Sequence, residues 1–418
     1  MASFLRRIFT VGQPELSPIR YPTSGFELLS AAAKIEEKRF EDGKSKRYYP
    51  VRLGECLATK YQVLGKLGFG STSTVWHARD MQTHNHVALK IFARDHDNND
   101  EFNMYQYLST CPKAHPGSQL IRTALDTFTI SANGGRHRCI VQKPLWESYR
   151  ELLLRNPKRR FSEDLLKQGL RRALLALDYL HTVCHVVHTE DVDIKADNII
   201  LDIADAKLFD DYVANELEYP TPRKFVDGNP IYMSRRFGLP REFGQPILSD
   251  FGSAVRGDIE HDEDVQPNIY RAPEVMLEVP WSYPIDIWNL GCMIWDLFEG
   301  KHLFHGIDDK IPAESNPNDG GYTTRAHLAE VVGLLGLPPA DLLSRGSRSK
   351  EFFTRDGQWC ADFDIPHDTS LEASEEKFND EDKAEFLRLV RSMLRWMPED
   401  RKTAKDLLDD AWLNSDSV

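Results

Sequence analysis

The stretch Val186-Val187-His188-Thr189-Glu190-Asp191-Val192-Asp193-Ile194-Lys195-Ala196-Asp197-Asn198-Ile199-Ile200-Leu201 decides how the other parts of this 418-residue chain are read. An apolar run ends in a polar loop, and a second apolar run carries the chain away. Inside the loop, Asp193, Lys195 and Asn198 stand in the order D-x-K-x-x-N. Moving a phosphoryl group onto a hydroxyl needs a carboxylate to orient that hydroxyl and accept its proton. It also needs a cation near the group in flight and a neutral amide oxygen for a metal ion. The loop supplies all three. Asp, Lys and Asn are also ordinary loop residues, so this reading stands only if the missing parts occur elsewhere.

They occur, and in order. Tyr61 to Trp76 alternates into a strand, breaks at glycines and resumes as a second strand. Leu67-Gly68-Phe69-Gly70 with Val75 fits G-x-G-x-x-G-x-V, Ser73 replacing the third glycine. Glycines there let backbone N–H groups approach phosphates. Val87-Ala88-Leu89-Lys90 reads as a third strand matching V-A-I-K, and a lysine on a buried strand is better read as a phosphate ligand than as a solvated residue. Phe102, Tyr105 and Leu108 predict a helix led by Asp100 and Glu101. Glu101 is the expected partner of Lys90, the alternative being a solvated first-turn acid. Arg138-Cys139-Ile140-Val141 predicts an inner strand running into Gln142-Lys143-Pro144-Leu145. Further on, a strand leads into Asp250-Phe251-Gly252, whose carboxylate is the second metal ligand the chemistry requires. Ala272-Pro273-Glu274 follows, with Arg401 the expected partner of Glu274. Asp286 opens an apolar helix and is placed to accept N–H groups of the Asp193 loop. Helices are also expected over Phe161 to Leu180, Glu381 to Trp396 and Thr403 to Trp412.

Composition sets the bounds. A net charge of −13 argues against nucleic-acid binding and suits a basic peptide partner. Six scattered cysteines without a C-x-x-C pair predict reduced thiols in a reducing compartment. No apolar run approaches the roughly 20 residues of a membrane span. Residues 1 to 60 read as a tail or strap, with a short helix expected over Phe26 to Ala33 and Tyr48-Tyr49-Pro50-Val51 packing on the following domain. The patch with Arg6 and Arg7 is taken as a tail rather than a targeting sequence. Residues 202 to 247 form a long, mixed segment rich in Asp, Pro and Arg.

The set Gly68/Gly70/Val75, Lys90, Glu101, Asp193/Asn198, Asp250-Phe251-Gly252, Ala272-Pro273-Glu274, Asp286 and Arg401 resembles eukaryotic protein kinases over about 350 residues. Within them the chain looks most like the SR-protein kinase family in its compact fungal form. That narrower match is carried by Ser73-Thr74-Val75-Trp76, by His188-Thr189 where most kinases have His-Arg, by Gln266-Pro267 before Tyr270-Arg271, and by Asp286-Ile287-Trp288-Asn289-Leu290-Gly291-Cys292. The resemblance implies an α+β, bilobal kinase fold with a mainly β small lobe (61–141), a hinge (142–145) and a larger, mainly α lobe (146–413). Residues 202–247 are an insert at the place of the family's longer spacer, and 414–418 a tail. It implies ATP held by Leu67, Gly68, Phe69, Gly70, Val75, Ala88, Lys90, Gln142 and Leu145, and Mg²⁺ held by Asn198 and Asp250. Asp193 is the implied base, with Lys195, Lys90 and Glu101 completing the catalytic set. The implied activity is serine phosphorylation in arginine/serine-rich proteins that bear on mRNA splicing, by a cytoplasmic and in part nuclear monomer. The short acidic segment Asp258 to Asp264 suits a basic substrate equally with an ordinary solvated loop.

One departure stands out. The family pattern H-T-D-[IL]-K-x-[DE]-N is interrupted here by Glu190-Asp191-Val192. Counting back from Asn198 selects Asp193 as the base. The inserted residues either bulge outward, leaving an active kinase, or misplace the base and leave an ATP-binding scaffold, a pseudokinase.

Overall fold

The structure is a computed structural model that describes residues 16–40, 47–94, 100–132, 134–189, 195–310, 321–367, 369–378 and 380–415. Asp193 and the inserted Glu190-Asp191-Val192 lie outside the described residues, as does the patch with Arg6 and Arg7. The chain divides into two compact units.

The first unit gathers residues 1–99, 123–146 and 202–244. Its frame is a six-stranded antiparallel sheet: β1 (Cys56–Leu57), β2 (Tyr61–Phe69), β3 (Ser73–Asp80), β4 (His86–Phe92), β5 (Asp126–Ala132) and β6 (Gly135–Gln142), in the order β1-β2-β3-β4-β6-β5. Val63, Trp76, Ala78, Leu89, Ile91 and Val141 are buried together on this sheet, and Val51 and Tyr232 join them. Val51 comes from the expected packing stretch before the sheet. Tyr232 comes from the insert.

The insert is where the structure adds most. Its mixed composition hides an α-helix (Lys207–Glu218) and an antiparallel hairpin (Arg223–Val226 with Asn229–Tyr232). Both lie on the sheet. The Tyr212 hydroxyl donates to the Lys66 carbonyl at 3.1 Å, and Tyr232 meets Trp76 edge-on, ring centroids 5.9 Å apart. Gly65 is required there, because a Cβ would stand 2.3 Å from the Tyr212 hydroxyl oxygen. The helix expected over Phe26 to Ala33 does not form. Leu28 instead bridges Arg223, and the Leu29 N–H donates to the Arg223 carbonyl at 2.9 Å, so the strap extends the hairpin's pairing. Backbone partners on the hairpin outweigh a weak local helix preference. Farther along, Glu36 and Glu37 both pair with Lys66, whose side chain is fully buried. A buried lysine is tolerated only with such partners.

The second unit gathers residues 100–122, 147–201 and 245–418 and is mainly helical. The helix expected near Glu101 forms as α1 (Asp100–Thr110). By contacts it belongs to this unit rather than to the sheet, since Tyr105 packs edge-on against Phe251 and the Tyr107 hydroxyl donates to the Cys184 carbonyl at 2.7 Å. The helix Glu163–Tyr179 starts at Ser162, whose side chain accepts the Leu165 N–H. The apolar helix Pro284–Glu299 runs through the core with Trp288 and Trp295 buried, and ends at Gly300 in the left-handed region, φ 74°. The expected Thr403 to Trp412 helix splits into Ala404–Leu408 and Ala411–Asn414. Asp410 causes the break by capping the second piece at the Trp412 N–H. No helix among the described residues is long and apolar enough to cross a membrane.

Candidate active site

In the first unit, β2 carries Leu67, Gly68 and Phe69, Gly70 follows, and β3 returns through Val75. Strand register sets Gly68 opposite Val75, Val75 opposite Lys90, and Ala88 opposite Gln142. The phosphate-loop, lysine and hinge candidates are thus ranked across adjacent strands of one sheet. A Cβ on Gly68 or Gly70 would meet nothing within 4 Å, so the loop's backbone faces open space. Gln142 is buried and its Nε2 has no partner among the described residues, a donor left for a ligand or a water. Leu145 is buried at the end of this stretch. These are features a nucleotide's adenine and phosphates would use.

In the second unit, Asn198 and Glu101 lie beside the Asp250-Phe251-Gly252 turn. The Ser249 N–H donates to the Asn198 carbonyl at 2.8 Å, binding the two metal-ligand candidates' segments together. Asp250 adopts φ 62°, an uncommon conformation for a non-glycine residue, and its Oδ1 accepts the Gly252 N–H at 3.4 Å. The Glu101 carboxylate lies over the same turn, 3.7 Å from where a Gly252 Cβ would be. Asn198 and Asp250 supply hard oxygen donors, the chemistry Mg²⁺ prefers. The described residues contain no cluster of three or more His, Cys, Asp or Glu able to hold a metal. Lys90 stands in the first unit and Glu101 in the second.

Arg122 was not anticipated by sequence reading. It is half-buried beside this turn; burial pushes its pKa down, while Tyr105, Asp250 and Glu101 act in the opposite direction. Its N–H donates to the Leu248 carbonyl at 2.7 Å, fixing it to the strand that delivers Asp250. A lone arginine in an irregular segment carries no sequence signal.

The loop preceding Asp193 is held as expected from the Pro284–Glu299 helix. Buried Asp286 accepts the His188 N–H at 3.1 Å and His181 Nε2 at 2.8 Å. His188 Nε2 lies 3.1 Å from the Ser249 carbonyl, and its ring packs against Phe251. The Thr189 hydroxyl donates to the Ser253 carbonyl at 2.8 Å. A neutral hydrogen bond therefore ties this loop to the segment after Gly252. Downstream, the Gln266 side chain donates to the Ile285 carbonyl and accepts the Ala272 N–H, at 3.0 and 2.8 Å. Arg401 clasps Glu274 with both guanidinium nitrogens at 2.6 Å, as the sequence predicted.

Lys195 also lines a cavity of about 580 Å³ with Asp197, Arg159, Tyr270, Asp296 and His302. Asp296 Oδ2 accepts the Tyr270 hydroxyl and lies 2.5 Å from His302 Nδ1, a bond that raises the pKa of His302. Three acids of the segment are paired: Asp258 with Arg256, Glu263 with His261 and Asp264 with Arg271. Glu260 and Asp262 are left exposed without an ion pair among the described residues.

With this geometry in place, the chain belongs to the protein kinase family, whose protein kinase domain pattern matches residues 61–237 and 239–413. More narrowly, it is similar to serine/threonine protein kinases and to the SRPK group. A serine/threonine protein kinase of Aspergillus fumigatus is 42% identical over 401 residues, 95% of each chain. The serine/threonine-protein kinase SRPK of Physarum polycephalum is 29% identical, covering 90% of this chain and 91% of its own. The human SRSF protein kinase 3 is 23% identical over 93% of each.

Proposed function

We propose that this serine/threonine protein kinase transfers the γ-phosphoryl group of ATP, with Mg²⁺, to serine hydroxyls in arginine/serine-rich protein segments. The observation that carries the proposal is the joining of the Asn198 and Asp250 segments under the Asp286–His188 anchor. On this reading Gly68 and Gly70 cover the phosphates, and Lys90, oriented by Glu101, holds them. Asn198 and Asp250 hold Mg²⁺, which neutralises phosphate charge. Asp193 orients the serine hydroxyl and takes its proton, and Lys195 offsets charge on the transferring group. The names of the SRPK-type relatives support the substrate class, as do the net charge of −13 and the exposed Glu260 and Asp262. We also propose a cytoplasmic and in part nuclear monomer, which sedimentation and imaging of a fluorescent fusion check.

The inserted Glu190-Asp191-Val192 favours a second reading, a pseudokinase that binds ATP without efficient transfer. General-base help is worth about 10²–10⁴-fold, and a 1 Å misplacement removes about 10²-fold of rate. Phosphate transfer to an arginine–serine repeat peptide separates the readings, run beside Asp193→Ala and a variant lacking Glu190-Asp191-Val192. Transfer by the parent that Asp193→Ala abolishes supports the kinase. A silent parent revived by the deletion supports the pseudokinase.

A further inference from the structure

We propose that Tyr48 is a positioning residue for the glycine-rich loop: its hydroxyl fastens Gly70 and Ser71 at the tip of the β2–β3 hairpin and holds the loop in its covering shape before a nucleotide arrives. The part played by the nucleotide rests on the proposed kinase reading; the brace itself does not.

The hairpin is anchored unevenly. Near its base Lys66 is gripped by Glu36 and Glu37, its carbonyl accepts from Tyr212 and from the Arg235 N–H, and Trp76 packs on Tyr232. Toward the tip the glycines offer no side chains for such packing, and Ser71 is exposed. The turn closes on itself through the Gly70 N–H and the Ser73 carbonyl at 2.8 Å, and the Thr72 carbonyl accepts the Ala93 N–H at 2.8 Å. Between these bonds, the carbonyls of Gly70 and Ser71 face the Tyr48 hydroxyl at 3.0 and 2.8 Å. One phenolic proton is shared by two acceptors, a bond that follows the loop through small movements.

Tyr48 is itself well held. It is buried; the Arg47 carbonyl before it accepts the Arg94 N–H at 2.6 Å, and Tyr49 after it meets His137 edge-on. The strap that precedes the sheet thus delivers one rigid hydroxyl to the most pliable part of the phosphate-covering hairpin. Glycine backbone has much conformational freedom to lose. A ligand that orders a loose loop binds more weakly than one that meets it already ordered.

Tyr48→Phe keeps the ring and its packing and removes only the bond. In the full chain without nucleotide, hydrogen exchange of amides 69–73 should quicken about three- to tenfold, while the remaining sheet stays unchanged. Affinity for Mg·ADP should fall by a similar factor, with the thermal midpoint and the peptide KM nearly unmoved. Unchanged exchange at 69–73 overturns the brace, as does faster exchange spread over the whole sheet, the mark of a merely structural role. Faster local exchange with unaltered Mg·ADP affinity overturns the positioning role. A parent that binds no Mg·ADP overturns the kinase reading, and the exchange measurement still decides the brace.

Discussion

Replacing Arg401 by methionine tests the architecture that holds the Ala272-Pro273-Glu274 segment. Both guanidinium nitrogens lie 2.6 Å from the two Glu274 oxygens, and both side chains are 0% exposed. Arg401 also donates to the carbonyls of Pro284 at 3.1 Å and Arg395 at 3.0 Å, and sits 5.1 Å over the Trp288 ring. Methionine fills similar space but leaves the Glu274 carboxylate buried beside two carbonyls with nothing to balance it. Breaking such a pair costs about 3–5 kcal/mol, far above the 0–1 kcal/mol of an exposed one. At about 2–4 °C per kcal/mol for a unit of this size, the thermal midpoint of the helical unit should fall by roughly 6–20 °C. Calorimetry with far-ultraviolet dichroism measures it. The double variant Glu274→Met/Arg401→Met should recover much of the loss, because no charge is then stranded. A single variant that loses less than about 1 kcal/mol would refute the reasoning, as would a double variant no better than the single.

Three further outcomes are expected. Lys90→Met and Asp250→Ala should each lower phosphate transfer by at least about 10²-fold with little change in the thermal midpoint, and a near-normal Asp250→Ala enzyme would remove that residue from the site. Gly65→Ala should destabilise the sheet unit by about 1–3 kcal/mol in denaturant titration, because the new methyl meets the Tyr212 ring. Tyr212→Ala should restore part of that loss, whereas additive effects would show that the insert helix does not press on β2. Buried His327 has its pKa pushed down to about 3 by burial, with Arg271 adding to the effect. Its folded-state pKa lies below the unfolded value near 6.5, so its contribution is complete above pH 6.5 and lost as pH falls toward 3. The slope is at most about 1.4 kcal/mol per pH unit. His327→Gln should flatten the fall in thermal midpoint between pH 7 and 5; an unchanged slope would exclude His327 as its source.

Residue type and spacing alone were enough to place the glycine hairpin, Lys90 on its strand, the Asp250 turn and the Glu274–Arg401 pair. Each of these depends on a local backbone shape or a chemical complement that few other residues provide. Glycines must bare a loop's backbone, a buried lysine or arginine must find an acid, and a short polar run between apolar strands must turn. Such demands are written within a few residues, which is why the family could be read before any coordinate.

Other features were decided by tertiary structure. The segment from 202 to 247 is mixed in composition, and its helix and hairpin lie on the sheet: Tyr212 reaches Lys66, and Tyr232 enters the core beside Trp76. The strap around Leu28 is extended rather than helical because Arg223 supplies its backbone partners. Arg122 beside the Asp250 turn and Tyr48 beneath the glycine tip are single residues whose meaning lies wholly in what folding brings next to them. Local shape is encoded by neighbours along the chain. Burial and the covering of one element by another exist only once the chain has closed on itself.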